Sequence, residues 1–290
     1  MTEFADRFWT SRDGLKLHYR DYAGPAGAAE SAAPPVICLA GLTRNARDFE
    51  GLAAHLASQR RVLCIDNRGR GDSDYSKDSA SYNPLQYVDD LSALLDQQEI
   101  DRFVAIGTSL GGLMTMIMAL TTPARIAAAV LNDVGPEIEP AGLERIMDYV
   151  GQGRSFATWM HAARALEEGQ GALFPGFDIS AWLTMAKRSM VVGSNGRIVF
   201  DYDMKIAEPF SQPGGAVGVD LWPAIDALHG KPVLLVRGEL SDILSIATQR
   251  AMAARLPGSE MVTIVGVGHA PSLDEPEAIA AIARLLARAG

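Results

Sequence analysis

Residues 103–124 read FVAIGTSLGGLMTMIMALTTPA and contain no charged side chain over 22 positions. A run of roughly 20 apolar residues is long enough to cross a bilayer, and its GxxxG spacing occurs in paired membrane helices. The first five residues are instead typical of a buried strand, the next two are polar, and Gly111-Gly112 would weaken a continuous helix. We therefore predict a strand, a sharp turn and a buried helix, and not a membrane span.

Short apolar runs alternate with helical stretches on both sides of this segment. Continuous apolar strands separated by helices indicate a parallel sheet that is covered on both faces. An Asp13-Gly14 turn between two alternating runs predicts a β-hairpin at the start of the chain. The predicted strands are Val36–Ala40, Val62–Asp66, Phe103–Gly107, Ile126–Asn132, Pro232–Val236 and Met261–Val265. The predicted helices lie near Ala46–Ser58, Leu85–Gln97, Leu110–Thr121, Ile246–Arg255 and Pro276–Ala287.

The alternation stops after Asp133 and resumes near Pro232. Between these points the chain is rich in large side chains and indicates several amphipathic helices with little strand signal. We predict one α/β core formed by residues 1–135 and 213–290, with residues 136–212 inserted as a helical cap.

Composition excludes several classes of protein. The chain has 290 residues, of which 48% are hydrophobic and 21% are charged, which excludes disorder, collagen and coiled coil. Its net charge of −9 and the lack of a basic run argue against a nucleic-acid or anionic-membrane partner. Cys38 and Cys64 lie in apolar runs and are predicted to be buried thiols. The first residues include acids and no apolar targeting segment, so we expect a cytoplasmic protein.

The pentapeptide Gly107-Thr-Ser-Leu-Gly111 follows a predicted strand and opens a predicted helix. A serine in such a turn projects its Oγ away from the backbone, and the flanking glycines allow strand and helix to approach closely. The beginning of the helix also supplies unpaired N–H groups for a developing anion. We predict that Ser109 is a nucleophile.

A serine nucleophile needs a base and a group that orients the base. Of the five histidines, His269 is the best candidate because it follows a predicted strand in a glycine-rich loop, at the sheet edge where active sites lie. We favour Asp242 as the orienting acid because it gives the chain order Ser, Asp, His. Asp133, which follows the strand after the nucleophile helix, and Glu239 are the alternatives.

Two backbone N–H groups are expected to bind the oxyanion of the reaction. Leu110 directly follows the nucleophile, and Leu42 lies in a Gly41-Leu42 loop after a predicted strand. Asp201 and Asp203 have the spacing of a metal pair, but no cluster of His or Cys accompanies them. We predict no metal and no organic cofactor.

Together these motifs resemble the α/β-hydrolase family, in the branch with a helical cap after the sixth strand. The resemblance covers nearly the whole chain and implies a mostly parallel eight-stranded sheet, the triad Ser109, Asp242 and His269, and oxyanion donors Leu42 and Leu110. One departure is Ala40, because many members have His-Gly in the oxyanion loop. The matching segments are Leu39–Leu42, Asp66–Ser73, Gly107–Gly112, Arg237–Asp242 and Gly268–Pro271.

The resulting hypothesis is a serine esterase that acts on a small-molecule ester with a small to medium hydrophobic acyl or alcohol group. This size class rests on large side chains of the insertion, namely Trp159, Phe174, Trp182 and Phe200. Alternatives that keep the same triad are hydrolysis of a lactone or enol-lactone and cleavage of a carbon–carbon bond. A third alternative is a binding protein of this fold with slow turnover.

Overall fold

The computed structural model describes residues 3–25, 33–211 and 220–290. Within these ranges the strands are β1 (Ala5–Thr10), β2 (Lys16–Tyr22), β3 (Val36–Leu39), β4 (Val62–Ile65), β5 (Phe103–Thr108), β6 (Ile126–Asn132), β7 (Ser155–Phe156), β8 (Met190–Val192), β9 (Ile198–Phe200), β10 (Val233–Gly238) and β11 (Glu260–Ile264). Eight of them form one sheet in the order β1-β2-β4-β3-β5-β6-β10-β11. Only β2 runs against the others in this sheet, which confirms the expected mostly parallel arrangement.

Helices cover both faces of the sheet, as predicted. Helices α2 (Pro84–Gln97) and α3 (Leu110–Thr121) cover one face, and helices α1 (Glu50–Leu56) and α9 (Pro276–Arg288) cover the other. In β3, Ile37 and Leu39 point to the face of α2 and α3, whereas Val36 and Cys38 point to the face of α1 and α9. This alternation follows from the two-residue period of a strand and buries each apolar run on both sides. The remaining helices are α4 (Pro140–Tyr149), α5 (Trp159–Gln170), α6 (Ile179–Ser189), α7 (Trp222–Asp226) and α8 (Ile246–Arg255).

The uncharged run at residues 103–124 folds as the predicted strand, turn and helix. It comprises β5 and the twelve-residue helix α3, which are joined at Ser109. None of the helices in the described residues is long and apolar enough to cross a membrane.

The segment between β6 and β10 contains α4, α5 and α6, and it also contains strands that the sequence analysis missed. Three short strands form an antiparallel sheet in the order β7-β9-β8. Each has only two or three residues, too few for an alternating pattern to stand out. The Asn195-Gly196 turn joins β8 to β9, with Gly196 at φ +75°. We call residues 136–211 the cap; the predicted limit at residue 212 lies outside the described residues.

The end of the cap pairs with a loop of the core. The Gly71 N–H donates to the carbonyl of Asp201 at 3.2 Å, and the Asp203 N–H donates to the carbonyl of Gly69 at 2.8 Å. The Tyr82 hydroxyl adds a bond of 2.6 Å to the Asp203 carboxylate. These bonds join segments that lie far apart along the chain.

Candidate active site

Ser109 occupies a tight turn between β5 and α3. Its backbone has φ 52° and ψ −114°, a strained conformation for a residue with a side chain. A Cβ on Gly107 would lie 2.4 Å from the carbonyl oxygen of Gly111, and one on Gly111 would lie 2.0 Å from that of Leu39. Both glycines are therefore required by the close approach of strand and helix that holds Ser109 in place.

His269 lies in the loop after β11, and its ring reaches Ser109. Its Nε2 is 3.0 Å from the Ser109 Oγ, so the structure brings the two predicted residues together. The His269 side chain is 9% exposed, so most of the ring is shielded from solvent. This is the geometry that a base needs to take the proton of the serine.

Asp133 is the acid that contacts His269. Its Oδ2 lies 2.8 Å from the His269 Nδ1, and its side chain is fully buried. The Gly238 N–H donates to the other carboxylate oxygen at 2.9 Å, and the Ser241 hydroxyl donates to Oδ2 at 2.7 Å. Because a carboxylate only accepts hydrogen bonds, the His269 proton lies on Nδ1 and Nε2 is free to accept from Ser109.

The expectation that Asp242 would contact His269 is wrong. The Asp242 carboxylate instead accepts two hydrogen bonds from Arg145 of α4, at 2.5 and 2.8 Å. Burial of Asp242 opposes its ionisation, but the hydrogen bonds and charge of Arg145 outweigh this and lower its pKa. Glu239 points elsewhere and accepts from the Gly266 N–H. The alternative acid, Asp133, follows β6, which lies directly between β5 and β10 in the sheet.

The two predicted oxyanion donors flank Ser109. Leu110 is the first residue of α3, so its N–H has no carbonyl within the helix to bind. A Cβ on Gly41 would lie 3.7 Å from the Cβ of Ser109, so the loop that carries Leu42 passes beside the serine. The Arg70 Nε donates to the Leu42 carbonyl at 2.9 Å. Arg70 lies within the matching segment Asp66–Ser73, but its contact with this loop was not predicted.

A cavity of about 400 Å³ opens onto Ser109 and His269. Phe174 and Phe200, which the sequence analysis singled out, line this cavity. Trp182 is buried in the core of the cap, and Trp159 packs partly against that core, so neither contributes to the cavity wall. The cavity size is typical of a site for a small organic molecule.

One group among the described residues has the spacing of a metal site, formed by His18, Asp66 and Asp72. Both ring nitrogens of His18 already lie near carboxylates, at 2.7 Å from Asp66 and 3.0 Å from Asp6. The Asp66 carboxylate also accepts the Ala46 N–H at 2.6 Å. These hydrogen bonds satisfy His18 and fix the chain just beyond the Gly41-Leu42 loop, which is a structural role.

Comparisons with known proteins agree with this fold. The sequence matches the family described as alpha/beta hydrolase fold over residues 34–276. It is 34% identical over 272 residues to a 3-hydroxybutyrate-oligomer hydrolase of Cupriavidus necator, with 91% of this chain and 90% of that protein covered. It is 28% identical over 268 residues to the esterase Rv0045c of Mycobacterium tuberculosis, with 87% and 82% covered.

A solved structure resembles the whole chain. The crystal structure of an alpha/beta hydrolase from Novosphingobium aromaticivorans has a TM-score of 0.94 and 64% sequence identity, and 99% of each chain is covered. The shared fold therefore extends over both the sheet and the cap. On the family match and the identity to these relatives, the chain belongs to the α/β-hydrolase family.

Proposed function

We propose that the protein is a serine hydrolase that cleaves a carboxylic ester with a small to medium hydrophobic acyl or alcohol group through an acyl-enzyme. The observation that carries this proposal is the hydrogen-bonded chain from the Ser109 Oγ through His269 to the Asp133 carboxylate. A serine, a base and an orienting acid in contact are the groups that acyl transfer requires. The proposal replaces Asp242 with Asp133 as the acid.

In the first half of the reaction, His269 Nε2 takes the Ser109 proton as Oγ attacks the ester carbonyl carbon. The carbonyl oxygen becomes an oxyanion, to which the Leu42 and Leu110 N–H groups donate. Asp133 stabilises the positive charge that forms on His269. The imidazolium then gives its proton to the ester oxygen, the carbon–oxygen bond breaks, and an alcohol leaves.

In the second half, water attacks the acyl group on Ser109 and gives a proton to His269. A second oxyanion forms in the same position and collapses as the bond to Oγ breaks. His269 returns its proton to Oγ, which releases the carboxylic acid and restores the enzyme.

Two lines of support favour an ester as the substrate. The names of the Cupriavidus and Mycobacterium relatives specify hydrolysis of 3-hydroxybutyrate oligomers and esterase activity. In addition, aromatic side chains of the cap, including Phe174 and Phe200, line the cavity beside Ser109 and favour an apolar group there.

The test is hydrolysis of a panel of p-nitrophenyl esters of graded acyl length, run beside a lactone and a dienoate. We expect turnover of the esters by the wild type and its loss in Ser109→Ala, with labelling of Ser109 by a fluorophosphonate probe. Ser58→Ala, which removes an exposed hydroxyl far from the triad along the chain, is the matched control. Ester turnover that survives in Ser109→Ala would refute the mechanism, and folded protein that resists the probe would favour a binding role.

A further inference from the structure

The cavity wall carries more positively charged side chains than negatively charged ones. Arg44 is paired with Asp48, with Nε and Oδ2 at 2.7 Å, and Arg188 is paired with Asp274 at 2.9 Å. Arg154 is the remaining cation of the cavity wall. The charged residues other than His269 that line the cavity are Arg44, Asp48, Arg154, Arg188 and Asp274. The cavity therefore carries an excess positive charge in a chain whose net charge is −9.

Arg154 has no anionic partner within the part of the chain that the structure describes. No carboxylate there lies within 4.0 Å of its guanidinium, although the other two arginines of the cavity each hold one. Arg154 lies between α4 and β7, where its backbone N–H donates to the Gln152 carbonyl at 2.8 Å. The guanidinium carbon of Arg154 is 5.6 Å from the centre of the Phe156 ring, and this contact favours one orientation of the arginine side chain.

The wall next to Arg154 is apolar. Phe156 and Phe200 both line the cavity, and their rings meet edge to face with centroids 6.4 Å apart. Ser109 and His269 belong to loops of the core, whereas Arg154 and both phenylalanines belong to the cap. The cavity thus combines a reactive serine, an aromatic wall and an unpaired cation.

We infer that the ester substrate carries a free carboxylate, which Arg154 binds while the ester carbonyl lies at Ser109. This inference rests on the proposed function and specifies its substrate class. A planar guanidinium binds a carboxylate through two parallel hydrogen bonds. The aromatic wall accommodates an apolar linker between the two groups, as in a monoester of a dicarboxylic acid or an ester of a hydroxy acid.

Esters that differ only at the far end of the acyl chain provide the test. Mono-p-nitrophenyl adipate carries a carboxylate there, p-nitrophenyl hexanoate is a neutral ester of the same chain length, and p-nitrophenyl 6-(trimethylammonio)hexanoate carries a cation. We expect wild-type kcat/KM to be highest for the adipate ester and lowest for the cationic one. The preference for adipate should weaken with added salt because Arg154 is exposed.

Substitutions of Arg154 test its assignment. We expect Arg154→Gln to lower the ratio of kcat/KM for the adipate ester over the hexanoate ester about tenfold, and Arg154→Glu to reverse the preference toward the cationic ester. Arg164→Gln is the matched control, because Arg164 is an exposed arginine of α5 paired with Glu167 and does not line the cavity. It should leave the ratio unchanged.

The outcomes separate this inference from the proposed function. Ester hydrolysis that depends on Ser109 but shows no preference for adipate, or keeps that preference in Arg154→Gln, would overturn the inference and leave the esterase proposal intact. If the wild type hydrolyses none of the esters, the esterase proposal fails, and calorimetric titration with free adipate decides the role of Arg154. Binding weakened about tenfold in Arg154→Gln would support the carboxylate site, and equal or absent binding would refute it.

Discussion

Arg70 holds the Leu42 carbonyl with its Nε, at 2.9 Å, on the loop that we propose binds the oxyanion. Its guanidinium also donates to the Arg68 carbonyl at 2.7 Å and the Tyr87 hydroxyl at 3.0 Å. Arg70 is fully buried, and no carboxylate of the described residues lies within 4.0 Å of it. A buried cation without a counter-ion is costly, so its place beside this loop favours negative charge there.

Replacing Arg70 should therefore affect the transition state more than the bound substrate. We expect Arg70→Lys to lower kcat about 10- to 100-fold with KM changed by less than about threefold, because the loop then positions Leu42 less well. The affinity for a trifluoromethyl ketone inhibitor, which forms an oxyanion on the enzyme, should fall in parallel. Tyr87→Phe removes a partner of Arg70 and leaves the Leu42 contact, so it is the control. A rise in KM alone would contradict this role.

The two aspartates near His269 should differ sharply in their effect on catalysis. We expect Asp133→Asn to lower kcat about 10³- to 10⁴-fold, because an amide at this position disfavours the required tautomer of His269 and leaves its positive charge unpaired. Asp242→Asn should change kcat by less than about fivefold, because the structure pairs Asp242 with Arg145. Steady-state kinetics on one ester, with melting curves for both variants, measures this. A larger loss in Asp242→Asn would reverse the assignment.

His18 should make stability depend on pH. Burial alone would lower its pKa from 6.5, but hydrogen bonds and charges, mainly of Asp66 and Asp6, outweigh burial and raise it. A raised pKa in the folded state contributes stability below pH 6.5, which is lost as the pH rises through the folded value. The loss of unfolding free energy in His18→Gln should therefore be larger at about pH 5.5 than at about pH 8.5.

Urea unfolding at both pH values measures this difference. His55→Gln, which changes an exposed histidine of α1, is the control and should give the same small effect at each pH. A His18→Gln effect that grows toward high pH would show that the sign is wrong.

Glycine substitutions should have opposite effects at the nucleophile turn and in the cap. Gly111→Ala would bring a Cβ to 2.0 Å from the Leu39 carbonyl oxygen, and we expect a loss of at least about 1–3 kcal/mol of unfolding free energy. Gly169 lies in α5, and a Cβ added there would have nothing within 4 Å. We therefore expect Gly169→Ala to raise the unfolding free energy by about 0.5–1 kcal/mol. Urea unfolding of both variants tests this, and a neutral Gly111→Ala would contradict the close approach.

The parts of the fold that sequence predicted well are those with strong local signals. The bounds of α3, β6 and α8 agree with the prediction to the residue. Each is a long apolar or periodic segment that ends at a polar or turn-forming residue, so local pattern alone was enough. The strands of the cap have only two or three residues and no such pattern, so they were not predicted.

The choice of acid could not be made from local signals. Asp133 and Asp242 both follow strands that end at the same edge of the sheet, so position along the chain left both open. The structure separates them through Arg145, which lies 97 positions from Asp242 and takes its carboxylate. The Gly238 N–H and the Ser241 hydroxyl converge on Asp133 instead. These are tertiary contacts, which no single stretch of sequence encodes.

The backbone bonds between residues 69–71 and 201–203 bear on whether the cap is a removable module. Deleting the cap would leave the Gly71 N–H and the Gly69 carbonyl without their partners. It would also remove Tyr202, whose backbone pairs with that of Arg70, the residue that holds the Leu42 carbonyl. A shortened chain is thus expected to hold less firmly the loop that we propose binds the oxyanion. Core and cap are consequently expected to tolerate transplantation between relatives only as one unit.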